Sequence, residues 1–197
     1  MRASRFCAIG LPCIAALRKS AAARASSLLV PVPLNSAIAV YEDACRRGHA
    51  TACASLSAVF VTGYPDGQGK DPPRARAPAE KGCSLGDLSG CVMLGTLLWQ
   101  GSGAPRDEPR AAALFRKAAM QGSPIAQNRL ARIYAFGRGV PAPDPVQAIK
   151  WHLIAKAGGN GDLYLDDYMQ KQIPENRAAG EQAAKPWLDI LSASRPQ

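Results

Sequence analysis

The residues of this chain with the clearest capacity for chemistry are its cysteines. Cys45 and Cys53 have seven residues between them, and so do Cys83 and Cys91. Pairs at that spacing can close short disulfide loops, each contributing roughly 2 to 3 kcal/mol by restricting the unfolded chain. As free thiols they would instead be small buried apolar groups. Neither pair has the tighter ligand spacing of a zinc loop, and His49 and His152 lie in distant segments, so no metal site is expected.

Other chemical signatures fail on context. Gly82-Cys83-Ser84-Leu85-Gly86 satisfies the G-x-S-x-G expression of a hydrolase nucleophile, yet such an elbow needs a strand before it and a helix after it. Here the segment reads as the turn of a helical hairpin. Gly67-Gln68-Gly69-Lys70 lacks the Gly-Lys-Ser/Thr ending of a phosphate loop and reads as a solvated connection. Serine enzymes that recognise penicillin need S-x-x-K, and no serine of this chain has lysine three positions later. His49 follows Gly48 as an exposed turn residue, and His152 beside Trp151 reads as a partly buried packing residue. Asp66, Asp71, Asp162, Asp166 and Asp167 read as turn and cap residues rather than as a paired acid and base. No catalytic residue and no cofactor is expected.

The elements that would position these residues repeat. Tyr41, Cys45, Gly48, Leu56, Phe60 and Gly63 recur as Ala79, Cys83, Gly86, Leu94, Leu98 and Gly101, then as Phe115, Ala119, Gly122, Leu130, Tyr134 and Gly137. The displacements are 83 − 45 = 38 and 119 − 83 = 36, and a fourth partial copy is placed with Trp151 in the aromatic slot, 151 − 115 = 36. Self-similarity at such a period signals a stacked array, whose product is an extended surface. In the third copy, Ala111, Ala112, Phe115 and Ala119 recur at helical spacing, Gly122 ends that helix, and Ser123-Pro124 caps the next. Ala52, Gly90 and Ala126 are small where the two helices of each hairpin approach most closely. Copy two carries Pro78 inside its first helix and is expected to pack weakest. The fourth second helix loses register, with Asp166 in the leucine slot and Gln170 in the aromatic slot. A last helix is expected from Pro174-Glu175 toward Leu191, with Pro186 breaking or kinking it near Trp187.

Composition bounds the partners. The formal charge is +9, but Arg2, Arg5, Arg18, Lys19 and Arg24 carry five of those charges in a leader without acids, leaving 9 − 5 = +4 elsewhere. That remainder does not call for nucleic acid. No apolar run approaches the ~20 residues of a membrane span. Arg2 and Arg5 before an apolar stretch to Leu17, with Ala23-Arg24-Ala25 as a cleavage site, sketch a secretory signal peptide; an organellar transit peptide is the alternative, and Pro12 with Arg18-Lys19 interrupts the apolar core. Export to the periplasm or medium is the expectation, with organellar or cytoplasmic placement if the leader serves otherwise. Whether Cys7 and Cys13 stay in the mature chain depends on that cleavage.

The third copy carries a family likeness. Phe115-Arg116-Lys117-Ala118-Ala119-Met120-Gln121-Gly122, followed by Ala126-Gln127, Leu130, Tyr134 and Gly137-Arg138-Gly139-Val140, resembles the Sel1-like repeat, a relative of the tetratricopeptide helix pair. The cysteine pairs of copies one and two resemble its secreted cysteine-rich branch, the Helicobacter cysteine-rich proteins. That resemblance implies an all-α, right-handed α/α superhelical solenoid of helix hairpins with a C-terminal capping helix, and disulfides that bridge the two helices of one repeat. It also implies a protein-interaction role; some members of the branch have been labelled penicillin-binding or β-lactamase, which is the rival reading.

The resulting division is a leader at 1–25, a linker at 26–35, repeats at 36–72, 73–107 and 108–143, a partial repeat at 144–171 and a cap at 172–197. The preferred function is a monomeric, non-enzymatic scaffold in an oxidising compartment. Its partner would be a protein or peptide, acidic in character, met by a concave face of first helices that includes Arg116, Lys117, Arg129 and Arg132.

Overall fold

The computed structural model describes residues 34–63, 69–103 and 105–193. The leader, Cys7, Cys13 and most of the Tyr64–Lys70 loop, with Asp66, lie outside those residues. The chain divides into Met1–Ala37, of which only the first turn of one helix is described, and Ile38–Gln197. The described residues form helices α1 (Leu34–Arg46), α2 (Ala50–Thr62), α3 (Pro72–Ser84), α4 (Leu88–Gln100), α5 (Glu108–Met120), α6 (Pro124–Phe136), α7 (Pro145–Ala157), α8 (Leu163–Gln170) and α9 (Pro174–Ala193). Among them there is no strand.

From α2 to α7 each helix packs on the next in chain order, so the second unit is an all-α repeat solenoid. Gly48, Gly86 and Gly122 turn the first three hairpins with φ of 91°, 92° and 92°, a left-handed backbone that other side chains rarely adopt. The link between hairpins is equally regular. The amides of Asp71, Asp107 and Asp144 donate to the carbonyls of Phe60, Leu98 and Tyr134 at 2.8, 2.9 and 2.9 Å. The same three carboxylates then accept from Arg74, Arg110 and Gln147 amides, capping the following helix. One aspartate per link thus ends one hairpin and starts its neighbour.

Copy two packs by proximity instead of bulk. The buried residues of α3 are Ala75, Pro78, Ala79, Gly82 and Cys83. A Cβ on Gly90 would stand 2.7 Å from the Cys83 nitrogen and 2.9 Å from the Gly82 carbonyl carbon, so only glycine lets these two backbones meet. A Cβ on Gly95 would stand 3.0 Å from the Phe115 ring, which fills the room that glycine leaves between copies two and three. Pro78 lies inside an unbroken α3.

Two sequence expectations are corrected. The fourth copy is offset by 37 residues from the third, not 36: α5 and α7 begin at Glu108 and Pro145 (145 − 108), and the positive-φ turn glycine moves from Gly122 to Gly159. The aromatic slot of Phe115 therefore falls on His152, not Trp151. Trp151 turns to the far side, where its ring meets Trp187 of α9 at 5.6 Å. Nor does Pro186 break the last helix, which runs from Pro174 to Ala193 with the proline inside it. Pro186 and Gln182 are on the exposed side, where water can take the carbonyl that the missing N–H leaves free. Gly180 lets α9 lie directly on Ile149 of α7, covering a face that the eight-residue α8 is too short to cover.

Candidate interaction surface

Ser84 is the last residue of α3, and its hydroxyl donates to the Lys81 carbonyl at 2.8 Å. It sits at a helical hairpin turn, which has none of the geometry of a nucleophile elbow. Among the described residues no group of three His, Cys, Asp or Glu side chains is placed to hold a metal ion.

The sulfurs of Cys45 and Cys53 lie 2.08 Å apart, and those of Cys83 and Cys91 2.00 Å. Each pair joins the last turn of one helix to the first turns of the next, across the glycine turn. All four cysteines are buried. The third hairpin holds the same register with a different bond. Gln127, buried in the second cysteine slot, donates its Nε2 to the carbonyl of Ala119, in the first slot, at 3.1 Å. We expect the double substitution Ala119→Cys with Gln127→Cys to close a third disulfide on oxidation. The net gain should be about 1 to 2 kcal/mol, a short-loop disulfide less one amide hydrogen bond. Thiols that stay free by mass spectrometry after oxidation would show that the third hairpin is built differently.

His152 is 1% exposed, buried further than its sequence context indicates. Its Nε2 lies 2.8 Å from Asp166 Oδ1, and Lys156 Nζ donates to the same oxygen at 2.7 Å, while His152 Nδ1 has no partner. Asp166 is therefore not a turn or cap residue, nor does it stand in the leucine slot once the offset is 37: it ties α8 onto α7, and Leu165 is the one buried residue of α8. The Lys156 hydrogen bond, then the one with His152, holds the Asp166 carboxyl below its ordinary value near 3.8. A carboxylate lowered in this way stabilises the fold fully above the unfolded value, and the benefit is lost as pH falls through the folded one. Asp166→Asn should lower stability at pH 7 by about 1 to 3 kcal/mol and remove part of the acid limb below about pH 4. Urea titrations from pH 7 to 2.5 read both effects; an unchanged acid limb would refute the assignment.

Asp71 and Asp162 are caps, as their sequence positions indicate, and Asp162 does more. It accepts from Arg132 Nε at 2.6 Å and from Asn128 at 3.3 Å. Burial acts to raise its carboxyl, but the Arg132 hydrogen bond and charge outweigh that and hold it low.

The four cations singled out in the sequence do not share a first-helix face. Arg116 and Lys117 lie on α5, whereas Arg129 and Arg132 lie on α6, the second helix of the hairpin. Arg116 occupies the place where Glu42 and Glu80 stand in the earlier copies. Those acids pair with the following copy's Arg74 and Arg110 at 2.8 and 3.6 Å. Arg116 finds Gln147 where that arginine would be, and donates instead to the Tyr134 hydroxyl at 2.8 Å. Arg132 is paired with Asp162 and lies 5.6 Å from the centre of the Tyr164 ring. Lys117 and Arg129 are exposed and have no ion pair among the described residues.

Two hollows open between the described helices, and the second adjoins Arg129 and Arg132. One of about 630 Å³ at the start of α5 is lined by Arg76, Arg106 and Arg110, with Leu98, Asp107 and Glu108. Its arginines are paired: Arg76 and Arg110 with Glu80, and Arg106 with Glu108, which also takes Arg138 at 2.6 Å. The other, of about 340 Å³, is lined by Ile125, Asn128, Arg129, Arg132 and Asn160. Sequence reading missed this second hollow, because the five-residue link 158–162 that builds it carries no motif. No helix among the described residues is long and apolar enough to cross a membrane.

Comparison with known proteins agrees with this architecture. The Sel1 repeat family model matches residues 88–123 and 124–160, segments of 36 and 37 residues that reproduce the register shift. The chain is similar to cytochrome c oxidase assembly factor 7 of Xenopus tropicalis, 36% identical over 78 residues, which are 40% of this chain and 33% of that protein. Factor 7A of Xenopus laevis is 35% identical over 78 residues, with the same two shares. The match thus spans about a third of the curated relatives. Among solved structures, a protective antigen of uropathogenic Escherichia coli displaying an SLR fold superposes with a TM-score of 0.71 and 27% identity, over 83% of this chain and 37% of the other. A Sel1 repeat protein from Oxalobacter formigenes gives 0.56 and 27% over 66% and 94%.

Proposed function

We infer that this chain, which carries Sel1 repeats, is a non-enzymatic scaffold that holds an acidic protein or peptide segment against its exposed cations. One observation carries the reading. The hairpins bury their apolar faces on one another, while Lys117 and Arg129 stay exposed with no ion pair among the described residues. An array of this kind offers recognition surface and no enclosed reaction chamber. The likeness to proteins named as assembly factors fits a component that works by meeting other proteins.

Two buried cysteine pairs at disulfide distance suit a non-reducing compartment. Export by the arginine-flanked apolar leader would bring the chain there, with residues 26–35 linking the leader to the repeats. The cysteine pairs also support a place in the secreted cysteine-rich branch of the repeat family.

The test is cross-linking and capture from the exported fraction, comparing the wild type with Lys117→Glu/Arg129→Glu. A discrete partner lost on charge reversal is the expected result. A catch no richer than a bead control would sink the scaffold reading.

A further inference from the structure

We propose that the outward stripe of α6, formed by Ile125, Arg129, Arg132 and Phe136 and continued by Tyr164 of α8, docks a partner protein's segment in which a carboxylate stands beside a large apolar side chain. The proposal rests on the scaffold reading and names its site and the chemistry of its partner.

The four α6 residues follow one another at i, i+4, i+7 and i+11, which places them on one side of the helix. Ile125 is 53% exposed, Phe136 49% and Tyr164 45%, so the stripe is apolar at both ends and open to solvent. Its parts are continuous. Phe136 stacks on Tyr164 at 5.4 Å, Arg132 lies over the same tyrosine, and Arg132, Arg129 and Ile125 line one hollow.

The two earlier copies pack without residues of this kind. The same four positions are Thr51, Ser55, Ala58 and Thr62 in α2, and Ser89, Met93, Thr96 and Gln100 in α4. Seven of those eight are small or polar. Copy three alone places isoleucine, two arginines and phenylalanine there, with both apolar side chains about half exposed to solvent.

The hollow is also held in shape. Asn128 donates to the Asn160 carbonyl at 3.4 Å and to Asp162 at 3.3 Å, and Asn160 donates to the Pro124 carbonyl at 3.2 Å. These bonds fix the link 158–162 against α6, so a ligand would meet a floor already ordered.

Charge selects the occupant. Asp162 answers Arg132, whereas Arg129 on the rim has no ion pair among the described residues, so the stripe lacks one negative charge. The chain's own first 33 residues contain five Arg and Lys and no acid, which sets like charge against Arg129 and Arg132. A second copy meeting this stripe about a two-fold axis would bring arginine against arginine. A separate segment that supplies a carboxylate for Arg129 and apolar groups for Ile125 and the Phe136–Tyr164 pair satisfies both demands.

The experiment selects random twelve-residue peptides by phage display on the oxidised full chain and measures synthetic copies of the winners by fluorescence anisotropy. Winners should carry Asp or Glu within four residues of Leu, Phe, Tyr or Trp. Arg129→Gln and Ile125→Asp should each weaken them at least ten-fold, with unchanged circular dichroism, and the α9 charge control Lys185→Glu should not. Replacing the peptide's acid by its amide should weaken binding to the wild type but not to Arg129→Gln. Winners that lack an acid, or that respond to Arg116→Gln or Lys117→Gln but not to the α6 variants, would overturn this surface and leave the scaffold reading standing. Failure to select any peptide would overturn it too, and joined to an empty capture experiment would remove both. A concentration-dependent dimer dissolved by Ile125→Asp, or phosphatidylglycerol vesicles competing with the peptides, would assign the stripe to a second copy or to lipid instead.

Discussion

Reducing both cysteine pairs is expected to lower the stability of the chain by about 5 kcal/mol, the sum of two short-loop disulfides at roughly 2 to 3 kcal/mol each. That is a large share of the ~5 to 15 kcal/mol that holds a typical domain folded. With a urea dependence near 2 kcal/mol per molar, the midpoint should fall by about 2 to 3 M. The loss should spread beyond copies one and two, because each hairpin shelters its neighbour's apolar side. Reduction itself should be slow without denaturant, since Cys53 and Cys91 are almost wholly buried and a reductant reaches them only through opening of the hairpin. The measurement uses protein with Cys7 and Cys13 replaced by serine, so that mass and thiol titration count only the four sulfurs of interest. A midpoint within 0.5 M of the oxidised protein would mean that the sulfurs carry little of the stability, and free thiols in protein isolated oxidised would mean that the bonds are not made.

Phe115→Ala should cost about 3 to 5 kcal/mol, the usual range for emptying a fully buried aromatic site. Phe115 is 1% exposed, and its ring fills the space left by Gly95 in the preceding copy. The other buried residues of its own helix are all alanine, which has no side-chain freedom with which to close over the void. Phe115→Leu keeps most of the volume and should lose less than half as much. Equilibrium urea unfolding of both variants decides the matter; a cost under about 1 kcal/mol for the alanine would show that copies two and three do not depend on this contact.

The copies most visible in the sequence are those whose slots are filled by distinctive residues. Glycine at the hairpin turn, aspartate or serine before proline at a helix start, and an aromatic or leucine facing the next copy each impose a local geometry, and each recurs where the structure uses it. The sequence leaves the fourth copy ambiguous by one residue because two aromatic-type rings, Trp151 and His152, stand side by side. Nothing local says which turns toward the preceding hairpin. The position of Gly159 decides it, and Asn160 N, bonded to the Ala155 carbonyl at 2.9 Å, repeats the Ser123 to Ala118 bond of the third turn. Pro186 is ambiguous in the sequence for a related reason. A proline's cost depends on whether its orphaned carbonyl meets water or protein, and that is a property of the surface.

By itself the sequence determined the helical hairpins, their count and the pairing register of Cys45 with Cys53 and Cys83 with Cys91, because a period, a turn glycine and a cap are short-range and act whatever surrounds them. Only the tertiary structure decided that Gln127, in the cysteine slot of the third hairpin, donates to the Ala119 carbonyl, that Asp166 serves the buried His152, and that Arg129 has no ion pair among the described residues while Arg132 is matched by Asp162, 30 residues away. Those outcomes turn on which charges and amides meet across separate helices, and distance in space, not order along the chain, sets the strength of such contacts.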